Sequence, residues 1–483
     1  MTCAKCGRDN SAHTLFCMGC GQKLEVSREG IEAQLRGEIR GEKERHGEDV
    51  AFRFLFILLP LAIFAWFFRG DEPRLPSFDE LPAVAGGIAP VKAFGELPIE
   101  TAGVPFVRHQ VMETSPFLNR SHRSLLAEAH GGGEDTEKAV EAALRFLALS
   151  QQGNGRWVSE PGAAVRHETG LTGLSLLAFT GAGYSADPTV NGGAENPHAK
   201  IVAAGAKYLS EIQQKEAFPS GDPNPVAGLF LEKAALDGPD GRNYMYDQAL
   251  ATAALAELGA LTKGPDGEKF RKAAERGARF LLRAQRDSGG WGYHIGAESQ
   301  ADSSVSSWPV QALKTCVDAG VLDRAAVQAS FDRARAFFLG LTNPTGFVGY
   351  NTPQAMQADG YGTTAAALTA RLFMGVSRSD KEGWKAVDEQ AAILLQRLPA
   401  WEPGSASLDL YRWYYSTIAL FQVGGRPFAV WNDALKKTLL SRQGADGTFE
   451  SADAWAKSGP GRVYSTAMAV LCLEVYYRYP GWE

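Results

Sequence analysis

The sequence predicts an all-α fold, an (α/α)6 toroid in which about six helical hairpins over residues 131–483 close into a ring. Two observations predict this fold: a short turn motif recurs along the chain, and two kinds of helical segment alternate. The last two copies of the motif lie as far apart as three hairpins of about 53 residues. The motif has the form Q-x3-G-x-W, with Phe for Trp in its last copy, and its marker residues are Gln151 and Trp157, Gln285 and Trp291, and Gln443 and Phe449.

The two kinds of helical segment differ in how their apolar residues are arranged. In KAVEAALRFLALSQQ (138–152), the first helix of a hairpin, apolar residues recur at the i, i+3, i+4, i+7 spacing of a single helix face. The second helix, as in YDQALATAALAELGAL (246–261), is more evenly apolar and rich in small residues, which indicates burial on most sides. We therefore expect the second helices to form an inner ring.

The recurring turn is predicted to be structural. Its Gln can cap neighbouring helix ends, its Gly permits a tight loop, and its aromatic ring can pack against the preceding helix. Such a motif stabilises a fold without specifying any chemistry.

Composition limits the function. The 483 residues carry a formal net charge of −6, so there is no basic excess to neutralise the phosphates of a nucleic acid. Of the six cysteines, four lie within the first twenty residues, so the main body has no disulfide framework.

The first 24 residues contain two C-x-x-C-G pairs, formed by Cys3, Cys6, Cys17 and Cys20. Each pair lets a tight turn direct two thiolates at one tetrahedral ion. Chance thiol pairs and redox-active pairs are the alternatives, but the doubled motif favours a zinc ribbon with structural zinc as its cofactor. It is similar to the short zinc ribbons at the start of many bacterial membrane proteins.

Three segments separate the zinc ribbon from the toroid. Residues 25–50 are charged and predict a solvated helix or linker. Residues 51–69 contain an uncharged apolar run from Phe54 to Phe68, and this predicts a transmembrane helix rather than a soluble core helix. Residues 70–130 are rich in Pro and Gly and predict an extended linker.

The flanks of the apolar run predict its orientation. Arg and Lys residues are more frequent before the run than after it, which places the N-terminus in the cytoplasm. The predicted localisation is therefore a single-pass protein of the cytoplasmic membrane, with the toroid on the outer or periplasmic side.

The three Q-x3-G-x-W turns resemble the QW motifs of squalene and hopene cyclases, and the toroid region resembles the squalene-cyclase and protein-prenyltransferase fold. The phrases YDQALATAALAEL, SSVSSWPVQALKTC and GRVYSTAMAVLCLEVYYRYPGW resemble prenyltransferase/squalene-oxidase-repeat proteins of the planctomycete type. The resemblance implies the fold and an apolar or isoprenoid ligand.

The catalytic signatures of the resembled families are absent from the sequence. Class II cyclases carry a D-x-D-D-T-A acid motif, but the corresponding stretches here, such as those ending at Ala365 and Ala467, lack it. Prenyltransferases bind zinc through Asp, Cys and His, whereas Cys316 and Cys472 lie among apolar residues and are interpreted as core residues. Whether the chain is an enzyme is left open.

Aromatic and polar residues gather near the starts of the predicted inner helices. One interpretation is that they line a pocket for an extended apolar ligand or a peptide. The other is that they pack loops and satisfy helix N-termini. For acid–base work the first choice is the pair His167 and Glu168. The candidate residues are His167, Glu168, Tyr246, Asp247, Trp308, Tyr361, Trp413, Tyr414, Tyr415 and Tyr464.

Three functions remain open on the sequence. The first is a ligand-binding or scaffold module with a protein partner. The second is an enzyme of the terpenoid-cyclase or prenyltransferase superfamily that acts on an isoprenoid or lipid through unrecognised residues. The third is a sugar-active enzyme on a similar barrel, which needs paired carboxylates about 5–10 Å apart.

Overall fold

The computed structural model of the chain describes residues 123–479, apart from gaps at 164–165, 190–193, 218–224, 232–242, 297, 357–358, 403–407 and 451. Every regular element in these residues is a helix, which confirms the predicted all-α class. The predicted zinc ribbon, charged segment and membrane span, together with most of the predicted linker, lie outside the described residues.

The helices alternate in character as the sequence predicts. In chain order they are α1 (Arg123–Ala129), α2 (Glu134–Ser150), α3 (Glu168–Gly181), α4 (Ala199–Ile212), α5 (Met245–Leu261), α6 (Gly264–Ala284), α7 (Ser303–Asp318), α8 (Arg324–Gly340), α9 (Tyr361–Phe373), α10 (Lys381–Leu395), α11 (Leu410–Val423), α12 (Gly425–Leu440), α13 (Ala454–Lys457), α14 (Gly461–Leu473) and α15 (Val475–Arg478).

Six helices form a closed inner ring. Each of α3, α5, α7, α9, α11 and α14 contacts the next, and α14 returns to α3, so the predicted toroid is confirmed. Small residues let these helices approach closely: a Cβ at Gly173 of α3 would lie only 2.7 Å from the carbonyl carbon of Leu250 in α5. All side chains of α5 from Asp247 to Gly259 are buried.

The outer helices α2, α4, α6, α8, α10 and α12 pack around this ring with one apolar face each. In α6, buried Phe270, Ala274, Gly277 and Leu281 follow the helical period, and charged residues occupy the other face. In each hairpin the outer helix comes first and the inner helix second, so the six inner helices all run in the same direction. We call the end of the ring at which they begin the mouth.

The QW turn lies between the outer and inner helices of a hairpin and forms a hydrogen bond to the outer helix of the next hairpin. Gln285 Nε2 donates to the carbonyl of Gly289 (2.7 Å) within the turn and to that of Ser330 (2.9 Å) in α8. The Trp291 indole is fully buried and donates to the carbonyl of Leu281 (2.8 Å) in the preceding helix. The turn therefore satisfies the Leu281 carbonyl at the end of its own outer helix and ties itself to the outer helix of the next hairpin.

The last copy of the turn closes the ring. Gln443 Nε2 donates to the carbonyl of Gly447 (3.1 Å) and to that of Ala139 (2.8 Å) in α2, the first outer helix. Gly447 has a φ of +85°, and a Cβ there would lie 2.1 Å from the carbonyl oxygen of Ala142. Only glycine allows this turn to touch the helix backbone.

A further copy of the turn is not apparent in the sequence. Gln213 Nε2 donates to the carbonyls of Gly228 (3.2 Å) and Ala273 (2.9 Å), the bonds that Gln285 makes in its own unit. The insertion between Gln213 and Gly228 hides the motif. In the hairpin of α8 and α9 the bond runs the other way: Gln390 of the outer helix α10 donates to the carbonyl of Gly346 in the turn (3.1 Å).

A buried ion cluster joins three helices at the end of the ring opposite the mouth. Arg478 lies 2.7 Å from Glu257 of α5 and 3.4 Å from Glu474, and it also donates to the carbonyl of Leu177 in α3 (2.7 Å). Burial disfavours the charged guanidinium, but the two carboxylates more than offset this and raise the pKa of Arg478.

Two sequence-based assignments need revision. Residues 123–129, part of the predicted linker, form α1 and pack on α2 and α15. The predicted localisation as a single-pass membrane protein is wrong. In the part of the chain that the structure describes, no helix combines the length and apolar character needed to cross a bilayer. The 21-residue helix α6, for example, carries charges along its whole length. The predicted span at 51–69 lies outside the described residues.

Candidate functional site

Acidic side chains gather at the mouth because they stabilise helix N-termini. Asp302 caps α7 and Asp409 caps α11, while Glu168 and Asp247 lie in the first turns of α3 and α5. Asp453 caps the short helix α13 just before α14. Most of these carboxylates are therefore explained by helix capping alone.

Asp302 caps α7 with one of its carboxyl oxygens only. Its Oδ1 accepts hydrogen bonds from the Val305 backbone N–H (2.8 Å) and the Ser304 hydroxyl (2.7 Å). Its Oδ2 is buried, with the residue only 2% exposed, and makes no hydrogen bond of normal length among the described residues. Burial raises the pKa of this carboxyl, although the Val305 N–H and the nearby Tyr350 hydroxyl act to lower it. A buried acceptor without a donor is costly unless a ligand or water supplies one.

A cleft of about 390 Å³ opens beside Asp302 at the mouth. Tyr293 and Tyr350, both half-buried, form one wall, and their hydroxyls are 2.9 Å apart. Burial raises the pKa of both tyrosines, so both are neutral hydroxyls at neutral pH. The lining presents polar and apolar surface in similar amounts and consists of Asn243, Tyr293, His294, Glu298, Ser299, Gln300, Ala301, Asp302, Tyr350 and Asn351.

Tyr246 connects the cleft to the inner helices. Its hydroxyl lies 2.9 Å from that of Ser304, and its ring meets Tyr293 edge to face at 5.8 Å. Burial raises its pKa well above the ordinary value. Tyr246, one of the candidates predicted from the sequence, thus lies directly behind the wall of the cleft.

His167 and Asp247 meet at the mouth on the other side of the start of α5. His167 Nδ1 lies 3.2 Å from Asp247 Oδ1, and the imidazole packs at 5.4 Å against the indole of Trp455. Glu168 points elsewhere and pairs with Arg156 (2.9 Å) and Arg166 (3.5 Å). The partner of His167 is therefore Asp247 rather than the adjacent Glu168.

Trp308 and Tyr415 lie deeper, in an aromatic core inside the ring. Trp308 of α7 stacks on Tyr414 of α11 with centroids 5.5 Å apart, and Tyr415 meets Trp308 edge on at 5.1 Å. Tyr411 extends the core towards the cleft, because its hydroxyl donates to the carbonyl of Ser304 (3.0 Å). Trp308 Nε1 and the Tyr415 hydroxyl are buried without a hydrogen-bond partner in the described residues.

The remaining candidates lie apart from the cleft. The Tyr361 hydroxyl donates to Gln396 (3.1 Å), and Arg397 stacks over its ring at 4.5 Å. Trp413 is fully buried against Trp401 at 6.0 Å. Tyr464 is buried, and burial raises its pKa.

Cys316 and Cys472 are buried, and burial raises the pKa of the Cys472 thiol to about 12. Such thiols stay protonated and are poor metal ligands. No group of three or more metal-ligating side chains is found between residues 123 and 479 where the structure describes them. Cys3, Cys6, Cys17 and Cys20 lie outside those residues.

The sequence interpretation did not single out Asp302, Tyr293, Tyr350 or Trp455. Asp302 has a recognisable signal, since Asp-Ser-Ser before an apolar run is typical of a helix start. That signal predicts a cap and says nothing about the unpartnered oxygen. The two tyrosines lie in the loops of two neighbouring hairpins and meet only when these hairpins pack side by side.

Comparison with solved structures finds proteins with a similar helical arrangement. The type II terpene cyclase MstE from Scytonema is 13% identical, aligned over 71% of this chain and 97% of its own, with a TM-score of 0.44. The glycoside hydrolase family 76 mannosidase Bt3792 from Bacteroides thetaiotaomicron is 12% identical, aligned over 71% and 98%, with a TM-score of 0.44. No family model and no curated protein matches the chain. The likeness is confined to the fold, and the ring itself is shown by the helix contacts above.

Proposed function

We propose that the toroid is a ligand-binding module whose site is the cleft at the mouth, and that its ligand is a saccharide. The observation that carries the proposal is the unpartnered Oδ2 of Asp302, which is buried yet lines the cleft. A ligand hydroxyl that donates to this oxygen would satisfy it.

The composition of the cleft favours a hydroxyl-rich ligand over a hydrocarbon. Nearly all of its lining residues carry polar side chains, which include amide, hydroxyl and carboxyl groups. Burying such groups against an apolar chain would leave them without hydrogen bonds. A sugar ring offers several hydroxyls to these groups, and its C–H faces can pack on Tyr293 and Tyr350.

The two tyrosines fit the same ligand. Their paired hydroxyls can each donate and accept, and they stand next to the carboxyl of Asp302. The carboxyl groups of Asp302 and Glu298 disfavour an anion, and the mixed donors and acceptors beside the aromatic rings suit a polyol.

The test is ligand-observed NMR on the full chain with glucose, mannose and N-acetylglucosamine, each as the monomer and as a linear tetramer. We expect saturation transfer to at least one probe, and we expect Asp302→Asn to abolish it. Asparagine still caps a helix, so the variant keeps the start of α7 while replacing the acceptor by a donor.

The matched control is Asp380→Asn, since Asp380 caps the outer helix α10 with a bond to Gly383 (3.0 Å) and is far from the mouth residues in the ring. It should leave the signal unchanged. Binding of none of the six probes, or equal binding by the Asp302 variant, would overturn the proposal.

A second candidate ligand is the isoprenoid or lipid implied by the family resemblance. The observation that favours it is the aromatic core of Trp308, Tyr411, Tyr414 and Tyr415, which lies directly below the cleft. Mass spectrometry of solvent extracts from the purified chain tests it. A stoichiometric lipid absent from a mock purification would support this candidate over the saccharide.

The zinc ribbon remains a separate proposal that rests on the spacing of Cys3, Cys6, Cys17 and Cys20. One zinc per chain in a metal analysis, lost when Cys3 and Cys6 are both replaced by Ser, is the expected result. A zinc content that does not depend on these residues would contradict it.

A further inference from the structure

We infer that Trp455 forms a second subsite at the mouth, so that the ligand is a saccharide chain lying across the start of α5 rather than a single sugar. This inference rests on the proposed function of the cleft. The observations that carry it are the exposure of Trp455, its fixed position, and the chain of mouth residues that connects it to the cleft.

Trp455 differs from the other large apolar side chains that are exposed in the described residues. Its side chain is 47% exposed and lies at the mouth, next to His167. The others are all aliphatic, so none of them offers a ring: Leu125, Leu149, Ile295, Leu339 and Val430. An exposed indole beside a polar cleft offers a flat apolar surface of the kind on which a sugar ring packs.

The indole is held in place from two sides. Asp453 Oδ1 accepts from the Ala456 N–H (2.6 Å), and Asp453 Oδ2 accepts from the Leu410 N–H (3.2 Å), which ties α13 to the start of α11. The His167 imidazole packs against the ring at 5.4 Å. A surface fixed in this way binds a ligand at a lower entropic cost than a mobile side chain would.

Neighbouring residues link this surface to the cleft. His167 contacts Asp247, which adjoins Tyr246 in the first turn of α5. Tyr246 in turn packs on Tyr293 in the wall of the cleft. Two adjacent residues of one helix therefore face opposite subsites, and a ligand that reaches both must extend across them.

The arrangement selects against a single sugar as the natural ligand. One ring fills only the cleft at Asp302, whereas a chain of sugars reaches the indole as well. Asp247 and His167 lie between the two subsites, largely buried and paired with each other, so the two subsites bind separate sugars of one chain.

The test is calorimetric titration of the full chain with the tetramer of the sugar that binds best, alongside its monomer. Trp455→Ala should weaken tetramer binding about tenfold, a loss typical of removing a central aromatic contact. Monomer binding should not change. Trp384→Ala, which removes a tryptophan from the outer helix α10, is the matched control and should leave both affinities unchanged.

Two outcomes separate this inference from the proposed function. Wild-type tetramer affinity in Trp455→Ala, together with lost binding in Asp302→Asn, would overturn the second subsite and leave the cleft intact. Unchanged binding in Asp302→Asn would overturn the cleft itself. Circular dichroism of each variant shows that the fold is retained.

Discussion

Gln443 donates a 2.8 Å hydrogen bond to the carbonyl of Ala139, which lies 304 positions earlier in the chain. The bond joins the last QW turn to the first outer helix. Gln151 and Gln285 make the equivalent bond to Ile201 and Ser330, each in the outer helix that follows. The same local motif closes the ring, because the outer helix that follows the last hairpin around the ring is α2 of the first hairpin.

Replacement of Gln443 by Ala should destabilise the fold. The Gly447 carbonyl loses its donor, and the bond between the last turn and Ala139 of α2 is lost, which costs about 1–3 kcal/mol in the free energy of unfolding. Urea unfolding followed by far-UV circular dichroism measures it. Gln152→Ala, in an exposed position of the first turn, should change stability by less than about 0.5 kcal/mol. Equal effects of the two substitutions would show that the closing bond does not stabilise the ring.

Replacement of Gly447 by Ala should be more harmful than the same change at Gly162. Both glycines have a left-handed backbone, with φ of +85° and +89°, but only Gly447 has a backbone atom in the way. We expect Gly162→Ala to cost about 1–2 kcal/mol from the backbone alone. Gly447→Ala adds the displacement of α2 and should cost about 2–5 kcal/mol in total. Equal losses in urea unfolding would mean that the turn can move away from Ala142 without penalty.

Replacement of Arg478 by Met should destabilise the end of the ring opposite the mouth. Glu257 and Glu474 would stay buried without their cation, and breaking a buried pair in this way costs about 3–5 kcal/mol. Arg279→Met removes an exposed partner of Glu275 and should cost at most about 1 kcal/mol. Thermal unfolding compares them, and a small effect at Arg478 would contradict the role assigned to the cluster.

The raised pKa of Asp453 predicts that the stability of the fold depends on pH. Burial, followed by the charge of Asp409, raises the pKa of its carboxyl to about 6. The folded state therefore keeps a proton that the unfolded state loses near pH 3.9. Its contribution to stability is complete below about pH 4 and is lost as the pH rises to about 6, a total of about 3 kcal/mol.

The measurement is the free energy of unfolding at pH 4 and at pH 7 for the unchanged protein and for Asp453→Asn. The variant cannot ionise, so it should gain stability relative to the unchanged protein as the pH rises. The readout is this change with pH and not the absolute stability, since the amide also disturbs the bond to Leu410. A difference that is the same at both pH values would contradict the raised pKa.

The sequence is sufficient for the parts of the fold that depend on local pattern. The small-residue segment at 246–261 and the turn at Gln285 each contain the information for their own structure. The turn at Gln213 escapes notice because an insertion separates it from Gly228, its partner 15 residues on.

The candidate site is harder to predict, because its contacts are set by the ring. His167 pairs with a carboxylate 80 residues away rather than with its neighbour Glu168. Asp302, Tyr293 and Tyr350 meet only once the loops of two hairpins are placed side by side. No periodicity in the chain encodes which oxygen of Asp302 is left without a donor.

The measurement that tests the central claim most directly is a calorimetric titration of the full chain with the saccharide that binds best, for the unchanged protein, Asp302→Asn and Asp380→Asn. The loss of a charged acceptor should weaken binding by about tenfold or more in the Asp302 variant. The Asp380 variant should bind as the unchanged protein does. Equal affinity in all three proteins would show that the mouth cleft is not the binding site.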